Sequence, residues 1–370
     1  MKILIVITRG DSIGGAQTHV ITLSKLLQRH GHDVLICYGG ELAGPLNQLI
    51  VAAGLNSVTV PSLCREISLI NDIKAIFQLR KVANRFKPDV ISLHSSKTGI
   101  VGRLSNLFSG RPVVFTVHGW AFTEGVNRTG AVLYKLIEKA LAGLAAKIIV
   151  VSDYDKKIAL KNNVSNSRTI ERVYNGVDVG TYGKDFSGAK GTVDIVMVAR
   201  FDDQKDHETL ILACNDIDNI KVHLLGDGPK FEKTVGLVND LKIGDKFIFY
   251  GYSNSVEEVL KKADIFVLIS NWEGFPISTL EALKYSLPVI VSDVGGAGEA
   301  IIDGETGYSV KRKDVADLKS KLVKLINDPV LRQTMGLAGN RLLLQQFSSE
   351  AMYKNTLEVF ESAILKKSSN

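Results

Sequence analysis

The feature that most constrains the fold is an alternation of short apolar runs with longer amphipathic segments, and it occurs twice along the chain. The segments between the runs have helical periodicity, for example at residues 16–29, 70–86 and 131–145. Strands that alternate with helices predict parallel sheets covered by helices. In the first half the runs that predict strands are residues 3–8, 33–38, 57–60, 89–94, 113–118 and 147–152.

The second half restarts the same pattern, with predicted strands at residues 194–199, 221–225, 247–250, 264–269 and 288–292. Between the halves, residues 176–191 are glycine-rich, polar and without periodicity, which predicts a domain boundary. Two doubly wound domains joined there would bind a ligand in a cleft at the carboxyl ends of their strands. At 370 residues the chain fits two domains of ordinary size.

The composition is that of a soluble globular protein, with 45% hydrophobic and 23% charged residues. Cys37, Cys64 and Cys214 are far apart and have no metal-ligand spacing, so we expect reduced thiols in a cytosolic protein. The apolar residues 1–8 are too few for a signal peptide and are interpreted as the first strand. No apolar run approaches the length that crosses a bilayer.

The net charge of +6 is distributed unevenly, because residues 1–180 carry +10 and residues 181–370 carry −4. A basic half attracts anions such as phospholipid surfaces, diphosphates or nucleic acid. Lysines scattered over an ordinary surface are the alternative explanation. Residues 71–87 form a basic amphipathic helix, which either lies on an anionic membrane or, more commonly, packs on the sheet and exposes its charges.

A glycine loop, Gly10 to Gly15, follows the first predicted strand and opens a helix. Glycines at Gly14 and Gly15 let backbone N–H groups approach a bound anion, although such a loop is as often only a tight turn. The spacing is not the dinucleotide fingerprint, and Cys37 and Tyr38 stand where an acidic residue would bind an NAD ribose. Both observations weaken a dehydrogenase hypothesis.

Other polar residues follow predicted strands, where a cleft ligand would lie. His118 ends one strand with Gly119 behind it, and it is either a catalytic group or a packed polar residue. Arg200 and Lys205 follow the first strand of the second half. A guanidinium fork and a mobile ammonium together suit a diphosphate, whereas the alternative is an ordinary solvated loop.

The most informative segment is residues 271–282, after the buried strand 264–269. Pro276 suits the first turn of a helix and Gly274 a close backbone approach. Glu273 is then predicted in the loop before the helix and Glu281 on its second turn. One carboxylate can face a sugar and the other a ribose, while the helix start offers N–H groups to a phosphate.

These motifs resemble, in order, those of the family 4 retaining glycosyltransferases of the GT-B fold, and the resemblance covers nearly the whole chain. The motifs are Gly14-Gly15, the stretch around His118, Asn175 to Asp178, Arg200 with Lys205, Gly226 to Pro229, and Glu273-Gly274-Phe275-Pro276 with Glu281. The resemblance implies an α/β protein with two Rossmann-like domains facing across a cleft. Residues 1–178 would form the acceptor-side domain and residues 179–349 the nucleotide-sugar domain, with a C-terminal helix at about 350–370 packing back on the first.

The resemblance also assigns roles. Arg200 and Lys205 would bind the donor diphosphate, Glu281 the ribose hydroxyls, and Glu273 the transferred sugar. His118 would lie near the reacting carbon. Further donor contacts would come from Gly14, Gly15, Gly228, Tyr252, Gly274, Phe275, Pro276 and Ile277. Many relatives have glycine at Pro276 and an acidic residue at Gln17, so this chain departs from the family pattern at both positions.

The implied reaction keeps the donor's anomeric configuration and needs neither a metal nor a cofactor. Trp120, Phe122, Lys97, Arg103 and Arg128 lie in the basic half and suggest an undecaprenyl-diphosphate-linked saccharide acceptor, as in relatives that assemble bacterial surface polysaccharides. We expect an anionic membrane as a partner and nucleic acid not to be one. The residues do not decide whether the transferred sugar is a hexose or an N-acetylhexosamine, or whether the donor nucleotide contains uridine or guanosine. The oligomeric state also stays open. A sugar-nucleotide epimerase or hydrolase and a non-catalytic bilobed sugar-binding protein are the alternatives.

Overall fold

The computed structural model describes residues 1–40, 44–179, 191–253 and 255–368. The chain divides into two compact units, Met1–Asp178 with Ser349–Asn370 and Val179–Ser348. Most of the glycine-rich segment predicted as the boundary, residues 180–190, lies outside the described residues. Among the described residues, no helix is both long enough and apolar enough to cross a membrane.

Unit 1 contains one parallel sheet of seven strands in the order β3-β2-β1-β4-β5-β6-β7. The strands are β1 Lys2–Arg9, β2 Asp33–Gly39, β3 Asn56–Thr59, β4 Val90–His94, β5 Val113–Val117, β6 Lys147–Val150 and β7 Ile170–Arg172. The helices are α1 Gly15–Arg29, α2 Pro45–Ala52, α3 Leu69–Phe86, α4 Ser96–Ser105, α5 Arg128–Leu141 and α6 Asp153–Lys161. The strand order reverses between β1 and β4, which is where α/β sheets bind ligands.

Unit 2 contains a parallel sheet of six strands in the order β10-β9-β8-β11-β12-β13. Its strands are β8 Val193–Val198, β9 Ile220–Leu225, β10 Phe247–Gly251, β11 Ile265–Leu268, β12 Val289–Ser292 and β13 Gly307–Val310. Its helices are α7 His207–Cys214, α8 Phe231–Asp240, α9 Val256–Lys262, α10 Ile277–Lys284, α11 Val315–Asn327 and α12 Pro329–Gln346. The order reverses between β8 and β11.

The last helix, α13 (Ser349–Ser368), belongs to unit 1. Its Met352, Tyr353 and Phe360 join the core on the α1 side of the seven-stranded sheet. The ring of Tyr353 stacks on His30 at the end of α1, with ring centroids 4.5 Å apart. This core and the one beneath α3, α4 and α5 cover the two faces of the sheet with buried aliphatic side chains.

Each predicted strand is present, and its ends lie within two residues of the predicted ends. A continuous apolar run is recognised in the sequence because most residues that flank it are polar, glycine or proline. The short strands β7 and β13 were not predicted. β7 has only three residues, of which only Ile170 is buried, so its apolar pattern is weak. β13 contains Gly307, whose missing side chain lets the backbone lie against Val289. His118 lies just after β5 and not within it.

Candidate active site

In unit 2, the turn after β8 carries the two predicted cations. Arg200 is exposed, and its Nε lies 3.4 Å from Oδ2 of Asp202. Lys205 is largely buried, and its ammonium forms an ion pair with the Glu273 carboxylate. The β8 and β11 segments lie side by side here, since Lys205 forms an antiparallel bridge with Ser270. Reversal of the strand order therefore brings into contact two charged residues that are 68 positions apart.

Three donors hold the Glu273 carboxylate. Besides Lys205, the Ser270 hydroxyl donates to Oε1 at 2.7 Å and Gln204 Nε2 donates to Oε2 at 3.1 Å. Gln204 also donates to the carbonyl oxygen of Trp272 at 3.0 Å. The Glu273 side chain is consequently almost fully buried and fixed in place before any ligand arrives.

Helix α10 begins directly after this loop. Pro276 is its N-cap residue, with φ −73° and ψ 122°, and no described side chain caps the helix. The N–H groups of Ile277 and the two following residues are thus the unpaired donors of the first turn. Proline at the cap position removes none of these three donors. A helix start of this kind favours a bound anion such as a phosphate.

Glu281 lies on the second turn of α10, as predicted, and is partly buried. Burial raises the pKa of its carboxyl group to about 7, and the charge of Lys284 opposes that shift only in part. A carboxyl group with so strongly raised a pKa is typical of functional sites. In its ionised form it offers acceptors to hydroxyl groups.

Glycines let two loops pack closely against the segments that carry Arg200 and Glu273. A Cβ at Gly226 would lie 2.0 Å from the Ala199 carbonyl oxygen, and one at Gly228 would lie 2.4 Å from that of Phe201. The loop after β9 thus supports the turn that presents Arg200. After β12, a Cβ at Gly295 would lie 1.9 Å from the Glu273 carbonyl oxygen. Gly228 therefore acts by close packing, and the role of Gly295 was missed because only its contact with Glu273 reveals it.

The other predicted donor contacts of unit 2 are placed as follows. Gly274 is partly exposed, whereas Phe275 is buried and packs on Phe347 with ring centroids 5.2 Å apart. The side chain of Tyr252 is 64% exposed, beyond the end of the edge strand β10. Strands β9 and β8 lie between β10 and β11 in the sheet order, so Tyr252 and Glu273 follow strands that are not neighbours.

A buried histidine of unit 2 is sensitive to the charges of two lysines. His207, the first residue of α7, is buried and stacks on Phe201 with ring centroids 4.0 Å apart. Burial lowers the pKa of His207 to about 3, and the charges of Lys205 and Lys230 contribute to that shift. The imidazole is therefore neutral, and the ammonium groups nearby carry the positive charge.

In unit 1, Gly14 is the N-cap of α1, and Gly15 is its first helical residue. No described side chain caps this helix, so its first N–H groups are also unpaired. Gln17 is buried and donates from Nε2 to the carbonyl oxygen of Arg9 at 3.2 Å. At this position the side chain fastens the glycine loop to the end of β1.

His118 belongs to a cluster of three histidines that sequence reasoning missed. Nδ1 of His94 lies 3.1 Å from Nε2 of His118, and Nε2 of His94 lies 2.9 Å from the Ser92 hydroxyl. The ring of His19 stands edge-on to that of His118, with centroids 4.9 Å apart. The signal was available, since His94 ends β4, His118 lies just after the adjacent strand β5, and His19 lies on the helix that begins beside them.

Burial keeps these imidazoles neutral. It lowers the pKa of His94 and of His118 well below the usual value, and it lowers that of His19 to about 4. His19 Nδ1 is 3.0 Å from Oδ1 of Asn175. Among the described residues, these three histidines form a group that could hold a metal ion, with their ligand atoms within 4.8 Å of one another.

The residues predicted to receive a lipid-linked acceptor are corrected in part. Trp120 and Phe122 are core residues, 3% and 7% exposed. The indole N–H of Trp120 donates to the Asp155 carbonyl oxygen inside the fold. Arg103 is buried in an ion pair with Glu138 at 2.6 Å. These three side chains are not available to a ligand, and the charge pattern alone could not reveal their burial.

Two family models match the chain, Glycosyltransferase Family 4 over residues 13–181 and Glycosyl transferases group 1 over residues 184–341. The chain is 31% identical to an Escherichia coli UDP-Gal:alpha-D-GlcNAc-diphosphoundecaprenol alpha-1,3-galactosyltransferase, over 86% of each protein. It is 26% identical to the N-acetyl-alpha-D-glucosaminyl L-malate synthase of Bacillus anthracis, over 95% of this chain and 94% of the other. The chain belongs to family 4 of the glycosyltransferases.

Solved structures show the same fold. Anabaena HepE in complex with UDP and glucose superposes with a TM-score of 0.86 at 18% identity, covering 98% of this chain and 99% of the other. Sucrose-phosphate synthase from Thermosynechococcus elongatus also gives 0.86, at 20% identity and 99% of both chains. The predicted GT-B fold, with two Rossmann-like domains, is confirmed, as is the resemblance to family 4.

Proposed function

We propose that this glycosyltransferase moves a hexose or N-acetylhexosamine from a UDP-sugar to a saccharide carried on undecaprenyl diphosphate, with retention of anomeric configuration. The observation that supports this most is the contact of Lys205 with Glu273 beside the uncapped start of α10. A cation suited to a diphosphate, a carboxylate suited to sugar hydroxyls and helix N–H groups suited to a phosphate lie close together there, which supports a donor site at this position. The product would enter a surface polysaccharide.

In this mechanism the leaving diphosphate is stabilised by fixed positive charge. Arg200 and Lys205 bind the phosphates, and the α10 N-terminus adds its partial charge. The acceptor hydroxyl attacks from the face that the nucleotide leaves, and the departing phosphate takes its proton. The β-phosphate bond to the anomeric carbon breaks as the new glycosidic bond forms. Because these groups neutralise the leaving charge, the reaction is proposed to proceed without a metal or cofactor.

Sugar and ribose are assigned to the two glutamates. Glu273 accepts hydrogen bonds from sugar hydroxyls, and Glu281 accepts them from the ribose. His118 contacts the sugar near the reacting carbon, as a neutral imidazole whose partner His94 fixes its orientation. Gly14 and Gly15 approach the phosphates through the uncapped start of α1.

The acceptor proposal rests on charge and on the relatives. The E. coli relative is named for an acceptor on diphosphoundecaprenol, and a 26% identical E. coli relative is named for O-antigen biosynthesis. A lipid-linked acceptor places the enzyme at the cytoplasmic face of a membrane. The excess of Lys and Arg in residues 1–180 favours an anionic surface as the partner.

The test incubates the protein with UDP-sugars and measures UDP release with and without a prenyl-diphosphate-linked acceptor. Acceptor-dependent release supports transfer, acceptor-independent release indicates a hydrolase, and binding without release indicates a sugar-binding protein. We expect Arg200→Ala and Lys205→Ala each to lower turnover by about 10²–10³-fold, as when one preorganised charge stabiliser is removed. Near-normal turnover in both variants would contradict the mechanism. So would a complete loss of activity when excess chelator removes divalent metal ions.

A further inference from the structure

Helix α3 is apolar on two opposite faces. Ala75, Leu79 and Ala83, spaced four residues apart, are buried against the sheet. Ile70, Ile73 and Phe77 form a second stripe on the opposite side, and Phe77 is 63% exposed. A helix that only packs on a sheet needs one apolar stripe. The second stripe has no partner among the described residues.

Helix α5 also carries an apolar stripe on its outer side. Val132, Leu133 and Leu136 lie on its outer side, and Leu136 is 56% exposed. Its inner side carries the buried Glu138. Large exposed apolar patches on a protein surface mark interaction sites.

Both helices lie on the same face of the seven-stranded sheet, one on each side of α4. Arg80 of α3 donates to the Ser105 carbonyl oxygen at the end of α4 at 3.0 Å. Arg103 of α4 is paired with Glu138 of α5. Helices that connect parallel strands run back along the sheet, so the first turns of α3 and α5 start at the edge where β4 and β5 end. That edge carries His94 and His118.

The charge of this surface has one sign. The sequences of α3 and α5 contain only two acidic residues, Asp72 and Glu138. Each is neutralised by α4, since Asp72 is 2.5 Å from Lys97 and Glu138 is 2.6 Å from Arg103. The exposed charges that remain are Lys74, Lys81 and Arg85 on α3 and Arg128 and Lys139 on α5.

We propose that the outer sides of α3 and α5 form a docking surface for an anionic lipid bilayer, which we call the α3–α5 face. Its apolar part is Ile70, Ile73, Phe77, Val132, Leu133 and Leu136, and its basic part is the five Lys and Arg residues named above. Apolar side chains interleaved with cations are the pattern of a helix that lies in the interface plane. Lysine stems lie along the apolar layer while their ammonium groups reach the phosphates.

A second copy of this chain is the competing occupant. A symmetric dimer would place the same basic residues against one another, and like charges brought together weaken an interface. A bilayer of anionic lipids provides the opposite charge and an apolar layer at once. The charge of the surface therefore favours the bilayer.

The docking surface deepens the proposed function and rests on it for its biological purpose. A bilayer beneath the first turns of α3 and α5 would bring a lipid-bound diphosphate to the edge of the sheet that carries His118. The saccharide on that diphosphate then needs to extend only to this edge. A soluble acceptor gains nothing from the surface.

The first experiment measures sedimentation of the full chain with vesicles of phosphatidylglycerol and with vesicles of phosphatidylcholine. Ile73→Glu with Phe77→Glu, and Leu133→Glu with Leu136→Glu, place acid in the apolar stripes. Val330→Glu with Leu344→Glu changes two exposed apolar residues of α12 in unit 2 and is the matched control. We expect wild type and control to sediment with phosphatidylglycerol only, and the two test variants to remain in the supernatant.

The second experiment tests the charges. Lys74→Glu with Lys81→Glu should weaken binding to phosphatidylglycerol by about 25-fold or more, since each basic residue near an anionic surface contributes about fivefold. Circular dichroism and thermal unfolding confirm that each variant is folded. Unchanged binding in all folded variants would overturn the proposal. So would a change from dimer to monomer in analytical ultracentrifugation without vesicles, because the face would then be a self-association surface.

A third measurement separates this proposal from the enzymatic one. Transfer is compared between a long-chain prenyl-diphosphate acceptor in vesicles and a short-chain water-soluble analogue. The α3–α5 variants should lose most of their activity on the vesicle acceptor and keep it on the soluble analogue. Equal losses on both acceptors would overturn the docking role. If wild type binds vesicles yet transfers to neither acceptor, the proposed function fails while the docking surface stands.

Discussion

Replacing Glu281 with glutamine should stabilise unit 2 at neutral pH while weakening donor binding. The carboxyl group is partly buried on α10, and burial raises its pKa from 4.5 to about 7. A shift of about 2.5 units corresponds to about 3 kcal/mol of folding free energy. An amide of the same shape carries no charge to bury, so Glu281→Gln removes this destabilisation.

The sign follows from proton binding. Between pH 4.5 and about 7 the folded wild type holds a proton on Glu281 that the unfolded chain has lost. The contribution of Glu281 to wild-type stability therefore falls as pH rises through this window and is constant above it, whereas the neutral His207 of the same unit contributes a rise over part of the window, so that only the difference between wild type and variant isolates Glu281. Glu281→Gln lacks that fall. The two proteins should differ least near pH 4.5 and by about 2–3 kcal/mol above pH 7.

The assay uses the two tryptophans of the chain, Trp120 in unit 1 and Trp272 in unit 2. In a Trp120→Phe background, the fluorescence of Trp272 follows urea unfolding of unit 2 at a series of pH values. Glu232→Gln on the exposed side of α8 is the control and should change the free energy of unfolding by less than about 0.5 kcal/mol. Parallel stability curves for wild type and Glu281→Gln from pH 5 to 8 would refute the reasoning.

Donor binding should show the opposite dependence. If the ionised carboxylate receives the ribose hydroxyls, UDP affinity falls below the pKa, by about tenfold for each pH unit below 7. Calorimetric titration of UDP at pH 6 and pH 8 measures this fall directly. In Glu281→Gln the affinity should be lower at pH 8 and independent of pH over the same range. A pH-independent wild-type affinity would remove Glu281 from the ribose site.

Two further predictions concern Gly295 and His19. Gly295→Ala, at φ +57° and with its Cβ 1.9 Å from the Glu273 carbonyl oxygen, should displace that loop and abolish most transfer activity. Gly236→Ala on α8, where nothing lies within 4 Å, should leave activity unchanged in the same UDP-release assay. For His19, whose pKa burial lowers to about 4, unit 1 should lose about 2 kcal/mol of stability between pH 7 and pH 5. His94 and His118 add to this pH dependence, so His19→Gln should reduce the slope without abolishing it in urea unfolding followed by Trp120 fluorescence, and an unchanged slope would contradict the assignment.

The sequence was sufficient for the loops that carry unit 2 chemistry. Residues 265–269 are a continuous apolar run, and a proline and a glycine follow it, so the loop of Glu273 and the helix of Glu281 were both predictable. The contact of Lys205 with Glu273 was not. It depends on β8 and β11 being neighbours, although β9 and β10 lie between them in sequence. Strand order is a property of the whole sheet, and no local pattern states it.

In unit 1 the sequence did not reveal which side chains are buried and which are exposed. Trp120, Phe122 and Arg103 were grouped with an acceptor surface because they lie in the basic half, yet all three are buried. A buried arginine needs a partner, and Glu138, 35 positions later, provides it. The residues that do face outward, such as Phe77 and Leu136, are apolar and resemble core residues in sequence. The buried residues and the outward-facing residues differ in their exposure to solvent. Exposure depends on the packing of the whole domain, so the residues next to each position in the sequence do not reveal it.

The hydrogen bonds that hold Glu273 affect how the diphosphate and the sugar of a nucleotide-sugar are recognised together. A carboxylate has about four acceptor sites, and Lys205, Ser270 and Gln204 occupy three of them. If Lys205 turns to the diphosphate in the proposed reaction, its departure frees an oxygen of Glu273 for a sugar hydroxyl. UDP alone would take Lys205 and leave Glu273 buried with one charged partner fewer, which is unfavourable. A UDP-sugar replaces that partner with its own hydroxyl group, so one ion pair couples recognition of the diphosphate to recognition of the sugar.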